Sequence, residues 1–147
     1  MARRFSYRFE TILNLKEKNE ENEKNNLGIA TKSLLQEEEH LTSLLQRRHE
    51  VASEIRINSQ KKLQIRDLQH YALKLEFIDG QINQQRTNVN QWENKVDQCR
   101  LQLMEAKKQT KIFNRIKEKD FEDHHYMELK DEEMFIDQLV SFKAACK

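Results

Sequence analysis

Asp120, His124 and Glu128 follow one another at four-residue intervals, with His125 beside them. On a helix that spacing puts the three on one face, and carboxylate and imidazole groups are donors that a divalent cation accepts. The set is open rather than closed, however, and a histidine on a polar helix is ordinarily a solvated surface residue. No metal is expected. Cys99 and Cys146 are far apart and have no partners at metal-ligand spacing, so both are read as reduced thiols of a cytosolic protein. His40, His49 and His70 are scattered. The chain has no glycine-rich phosphate loop, no Gly-x-Ser-x-Gly and no Cys-x-x-Cys. These residues point away from catalysis and from any cofactor, and toward a protein that acts by binding other proteins.

The elements that carry them are helices. There are two glycines, Gly28 and Gly80, and no proline in 147 residues, which leaves room for one or two chain reversals. Charged residues make up 35% and hydrophobic ones 37%, too few apolar groups for a thick core but enough for a seam. In steps of three and four, the second half reads Leu68, Tyr71, Leu75, Ile78, Ile82, Gln85, Val89, Trp92, Val96, Cys99, Leu103, Ala106, Thr110 and Phe113. Only Gln85 and Thr110 break this apolar stripe, and such a stripe requires a partner helix. The first half supplies one less cleanly, through Phe9, Leu13, Leu27, Ala30, Leu34, Leu41, Leu44, Val51 and Ile55. Glu20, Glu37 and Arg48 interrupt it.

Between the two runs, the polar stretch around Lys61 loses the register. The pattern predicts helix 1 over about 5–58, a turn over about 59–65 and helix 2 over about 66–140. A short connection between long helices makes them antiparallel neighbours. The expected fold is therefore all-α, a single antiparallel coiled-coil hairpin in which residue i faces residue 123 − i. Ile55 then meets Leu68, Leu41 meets Ile82, Leu27 meets Val96 and Leu13 meets Thr110. The second helix overhangs the first beyond about residue 119, and a lone helix is marginal in water, so the overhang calls for a partner.

Charge is balanced overall, 26 basic against 25 acidic residues, which argues against nucleic-acid or membrane-surface binding. The basic start, Met1 to Phe5, is followed by no apolar stretch and is not read as a signal peptide. No run is long and apolar enough to span a bilayer. Locally the charges segregate. Residues 1–18 hold Arg3, Arg4, Arg8, Lys16 and Lys18 against two glutamates, and residues 107–119 hold six basic residues, Lys111, Arg115 and Lys117 among them, against Glu118. The hairpin joins these segments into a basic collar at its open end. Residues 120–137 beyond it carry eight acidic groups against Lys130. Phe9 fits the seam, whereas Phe5 and Tyr7 are expected to be exposed as interface anchors.

The opening Phe5-x-Tyr7-x-Phe9-x-x-Ile12-Leu13-x-Leu15-Lys16-x-x-x-Glu20 resembles the start of the FliJ family, small coiled-coil proteins of the flagellar type III export apparatus. Leu68-x-x-Tyr71 with Ile78 and Ile82, Gln91-Trp92-x-x-Lys95-Val96-Asp97, and Glu128-x-x-x-Glu132 with Ile136-Asp137 are similar to later stretches of the family, although Gln138 stands where glutamate is usual. The resemblance covers nearly the whole chain. It implies an antiparallel two-helix coiled coil like the central stalk of rotary ATP synthases, with no enzymatic activity of its own. The paired termini would enter the pore of the hexameric export ATPase, promoting its assembly and activity. The hairpin would also contact the cytoplasmic domain of the export gate and bind export chaperones. That implies a cytoplasmic protein at the inner-membrane face of the flagellar base, peripheral to the membrane through the apparatus.

On this reading Arg3, Arg4, Phe5, Arg8, Lys111, Arg115 and Lys117 face the ATPase, and His40, Leu44, Arg47, Lys74, Ile78 and Gln81 face the gate. Two other readings share the geometry: a central-stalk subunit of a rotary ATPase, usually a longer chain, and the equivalent coiled-coil component of a virulence type III system.

Overall fold

The computed structural model describes residues 6–61 and 64–146. They form two α-helices and, among the described residues, no strand: α1, Glu10–Asn58, and α2, Ile65–Ala145. Arg3, Arg4 and Phe5 lie outside the described residues, as do two residues of the expected turn. With no proline and no positive-φ residue among those described, nothing interrupts either hydrogen-bond ladder.

Local chemistry sets the ends. The Glu10 amide donates to the Tyr7 carbonyl at 3.1 Å, and Glu10 places a carboxylate at the positive end of α1. At the other end the ladder tightens: the Gln60 and Lys61 amides donate three residues back, to Ile57 and Asn58. The Ser59 hydroxyl donates to the Arg56 carbonyl at 2.8 Å. α2 starts after Gln64, whose amide donates to the Asp67 carboxylate at 3.4 Å, half of a capping box. The amides of Asp67 and Leu68 in turn donate to the Gln64 carbonyl. Gln64 thus serves as the cap although its side chain is not a favoured one.

The two helices pack against each other antiparallel, as a helical hairpin. By its contacts the chain divides into two compact units, Glu23–Leu103 and the pair of segments Met1–Asn22 and Met104–Lys147. In the first, Leu44 and Val51 of α1 enclose Ile78 and Ile82 of α2, with Leu41, Ile55 and Leu75 packed around them. Ile78 is 0% exposed, and its burial is worth on the order of 2–3 kcal/mol. Farther along, Ala30 meets Val96 and Cys99, flanked by Leu27, Leu34 and Trp92. In the second unit Leu13 is 2% exposed, and Ala106 and Thr110 are buried as well. The expected facing of Leu41 with Ile82 and of Leu27 with Val96 holds in these clusters.

The two breaks in the α2 stripe lie inside the seam. Gln85 is buried, and its Nε2 donates to the Glu37 carbonyl at 2.9 Å and to the Glu37 carboxylate. Buried Thr110 donates its hydroxyl to the Lys16 carbonyl at 3.2 Å and to the Ala106 carbonyl at 3.1 Å. A polar group survives in a seam when its hydrogen bonds are made, and both of these fix register. Arg48, the break in α1, turns outward and pairs with Asp79 at 2.5 Å. That contact holds the Arg48 guanidinium above its usual pKa, through the hydrogen bond first and the carboxylate charge second.

Leu68 departs from its expected place. It is half exposed rather than facing Ile55 within the seam, because α1 ends at Asn58 and leaves the first turn of α2 uncovered. Tyr71 closes the seam instead. The Asn58 side-chain amide donates to its hydroxyl at 2.7 Å, and that hydroxyl donates to Glu54 at 3.5 Å. α2 also continues past the expected end, to Ala145.

Candidate functional site

The open end of the hairpin is built on an aromatic lock. Tyr7, just before α1, is 6% exposed, and its hydroxyl donates to the Phe113 carbonyl of α2 at 3.1 Å. Its ring meets Phe9 edge-on at 5.8 Å between centroids, and Phe9 meets Phe113 in the same manner at 6.3 Å. Tyr7 is therefore a buried strut and not the exposed anchor expected from the sequence. Burial, reinforced by the negative charge of Asp120, pushes its phenol above the usual tyrosine range. Lys117 of α2 reaches Glu10 of α1 at 3.2 Å, tying the same end together at its surface.

This lock displays the basic groups. The Arg8 guanidinium lies over the Phe9 ring at 4.6 Å and is exposed, and the Lys16 ammonium is 5.9 Å from the Phe113 ring centroid. Lys111 and Arg115 are exposed, and with Lys107 they line one side of a shallow groove of ≈ 430 Å³ that also touches Glu20 and Glu118. Lys107, Lys111 and Arg115 recur every four residues, so a single helix face carries three cations. Four of the seven residues expected at the ATPase, Arg8, Lys111, Arg115 and Lys117, fall in this unit. The other three lie outside the described residues. Past Asp120 the helix is acidic, yet its large apolar side chains remain in water, Phe135 at 62% and Phe142 at 68% exposure.

A second surface lies in the unit Glu23–Leu103. A groove of ≈ 490 Å³ is lined by His40, Glu76, Phe77, Gly80, Gln81 and Gln84, with Leu44 and Gln85 at its floor. Of the six residues expected at the export gate, His40 and Gln81 line this groove, Arg47 is exposed and Lys74 is half-buried. Leu44 belongs to the core and reaches only the floor of the groove, and Ile78 needs correction: fully buried, it offers no surface to a partner. Sequence reasoning overlooked Leu73 and Phe77, 66% and 64% exposed. Their signal was present, since Leu73, Phe77, Gly80 and Gln84 keep three-four spacing on a side of α2 away from the seam.

The His124 Nε2 lies 3.3 Å from the Glu128 carboxylate, but among the described residues no group of three metal-ligating side chains converges. No described helix is long and apolar enough to cross a membrane. The fold defines a class: an all-α protein of two long helices packed as an antiparallel hairpin. The chain belongs to the FliJ family, because the family profile described as flagellar FliJ protein matches residues 5–147. It is accordingly a component of the flagellar export apparatus, in a family of non-catalytic export components. No curated protein and no solved structure matches the chain.

Proposed function

We propose that the chain binds the hexameric export ATPase through the open end of the hairpin, promotes assembly and activity of that ring, and links it to the export gate. The observation that carries this reading is the aromatic lock of Tyr7, Phe9 and Phe113. It presents Arg8, Lys111 and Arg115 as a preorganised basic surface at the end from which the acidic, apolar-faced helix continues. A fixed cluster of cations gains from an acidic ring lining both in encounter rate and in fit. The apolar groups of the continuing helix, costly in water, gain burial inside a ring. ATP turnover by the cognate ATPase, titrated with wild-type chain and with charge-reversed collar variants, tests it.

The groove at Phe77 and Gly80 supports the gate contact. A helix-interior glycine costs about 1 kcal/mol relative to alanine. At Gly80 nothing inside the chain requires one, since an added Cβ would meet nothing within 4 Å. Bare backbone beside an exposed phenylalanine suits the close approach of a partner's side chains, and His40, Phe77 and Gln84 would frame that contact. Export chaperones are further partners on this reading, at the cytoplasmic face of the inner membrane where the apparatus stands. Family membership favours the flagellar system over the rotary-ATPase stalk and virulence alternatives.

A further inference from the structure

In the open-end unit, one side of α2 packs on α1 through Ala106, Thr110 and Phe113. The opposite side carries a second series at alternating steps of four and three residues, every member of it exposed. Its first half is Lys108, Ile112, Arg115 and Lys119. Its second half is Glu122, Tyr126, Leu129 and Glu133. Spacing of this kind keeps a stripe in line along a helix and is the geometry of a helix–helix contact. Exposed charge stripes are ordinarily solvated, so spacing alone decides nothing.

The order of the residues does. Read from its two ends, the series is complementary to itself: Lys108 answers Glu133, Ile112 answers Leu129, Arg115 answers Tyr126 and Lys119 answers Glu122. All four pairs share one register, residue i opposite residue 241 − i. Past the ends, Ile136 falls opposite Glu105 and Val140 opposite Leu101. We propose that a second copy of this chain docks on this face of α2, antiparallel and in that register.

Such an interface is isologous, so each pair forms twice about the two-fold axis. Ile112 and Leu129, each about half exposed in the single chain, gain cover from one another, as do the exposed Leu101 and Val140. Arg115 meets a Tyr126 ring that already attracts the Lys130 ammonium at 5.5 Å, and a guanidinium over a tyrosine face is favourable. Four Lys–Glu contacts per dimer select the orientation. The parallel alternative sets Lys108 on Lys108 and Glu133 on Glu133, and like charges in juxtaposition exclude it. The stretch from Lys108 to Glu133 runs about 38 Å along the helix, long enough for several such layers.

Sedimentation velocity on the full chain, over a concentration series from about 1 to about 200 µM, tests the proposal. The expected result is a concentration-dependent dimer that weakens with added salt. K108E or E133K alone weakens the dimer about tenfold or more, because each introduces two like-charge contacts by symmetry, and the double exchange K108E/E133K restores it. Circular dichroism confirms that helicity is unchanged, since neither side chain touches the seam. The register is read by mixing I112C chains with L129C chains, each in a C99A/C146A background, and the mixed disulfide forms in preference to either self-disulfide. A chain that stays monomeric throughout the series overturns the proposal. So does a dimer indifferent to the single charge reversals or not restored by their exchange.

Discussion

The Tyr7 hydroxyl donates to the Phe113 carbonyl at 3.1 Å across a sequence separation of 106 residues, fastening the start of the chain to the middle of α2. The contact helps position Arg8, which follows Tyr7 and lies over the Phe9 ring. Tyr7→Phe keeps the ring packing and removes one part-buried hydrogen bond, so a loss of about 0.5–1.5 kcal/mol in global stability is expected, seen as a lower denaturant midpoint. The pH dependence has a definite sign. A phenol held above its ordinary pKa binds its proton more tightly when folded, so its stabilising effect is complete below the unfolded tyrosine pKa and is lost as pH rises through the folded value. In an ultraviolet titration the difference between wild type and Tyr7→Phe should report a phenol ionising above the ordinary tyrosine range. A phenol that ionises within that range would show that Tyr7 is not buried.

Ile78→Ala should destabilise the hairpin by about 2–5 kcal/mol, the cost of a cavity where the side chain is fully enclosed. Val96→Asp should be worse, because it buries a charge with no partner beside Ala30 and Cys99. Leu68→Ala, at a half-exposed position, should cost far less than Ile78→Ala. Thermal unfolding of the three variants checks the order, and equal losses at Leu68 and Ile78 would contradict the observed start of the seam.

Cysteines placed at Leu27 and Val96, with Cys99→Ala and Cys146→Ala, should form a disulfide within one chain, because the two positions pack in the same layer. Mass analysis after oxidation under dilute conditions distinguishes this from linkage between chains. Crosslinks found only between chains would mean that the helices pair with those of another molecule.

The hairpin and its register were legible because Ile78, Val89 and Val96 recur at three and four residues with almost no interruption. Gln85 and Thr110 read as flaws, since spacing cannot reveal that Glu37 and the Lys16 carbonyl wait opposite them. Tyr7 was misjudged for a different reason: it precedes the first turn of α1 at Glu10, so helical periodicity carries no information about its direction. Leu44 and Ile78 were assigned to the gate surface although both belong to the three-four series that defines the seam. The exposed side of that groove is a second, weaker series through Leu73, Phe77 and Gly80, which the stronger one hides. Leu68 failed because a stripe does not announce where its partner helix stops.

At the groove, stability and binding should move in opposite directions. Gly80→Ala should raise stability by up to about 1 kcal/mol, because the added Cβ meets nothing within 4 Å and the helix gains propensity. Gly80→Leu and Phe77→Ala should weaken binding of the export gate's cytoplasmic domain about tenfold or more while leaving the circular dichroism spectrum intact. Titration calorimetry with the purified domain reads this, and unchanged affinity in both variants would remove the groove as the gate contact.

If the basic open end acts on the export ATPase, ATP turnover by the purified cognate enzyme reads it most directly, titrated with wild-type chain and with the Arg8→Glu/Lys111→Glu variant. Both residues are exposed, so circular dichroism should show an intact hairpin. Stimulation by the wild-type chain that weakens with added salt, and its loss in the variant, is the result expected when fixed cations recognise an acidic ring lining. Full stimulation by a correctly folded variant would contradict the account, leaving the collar as a solvated helix face.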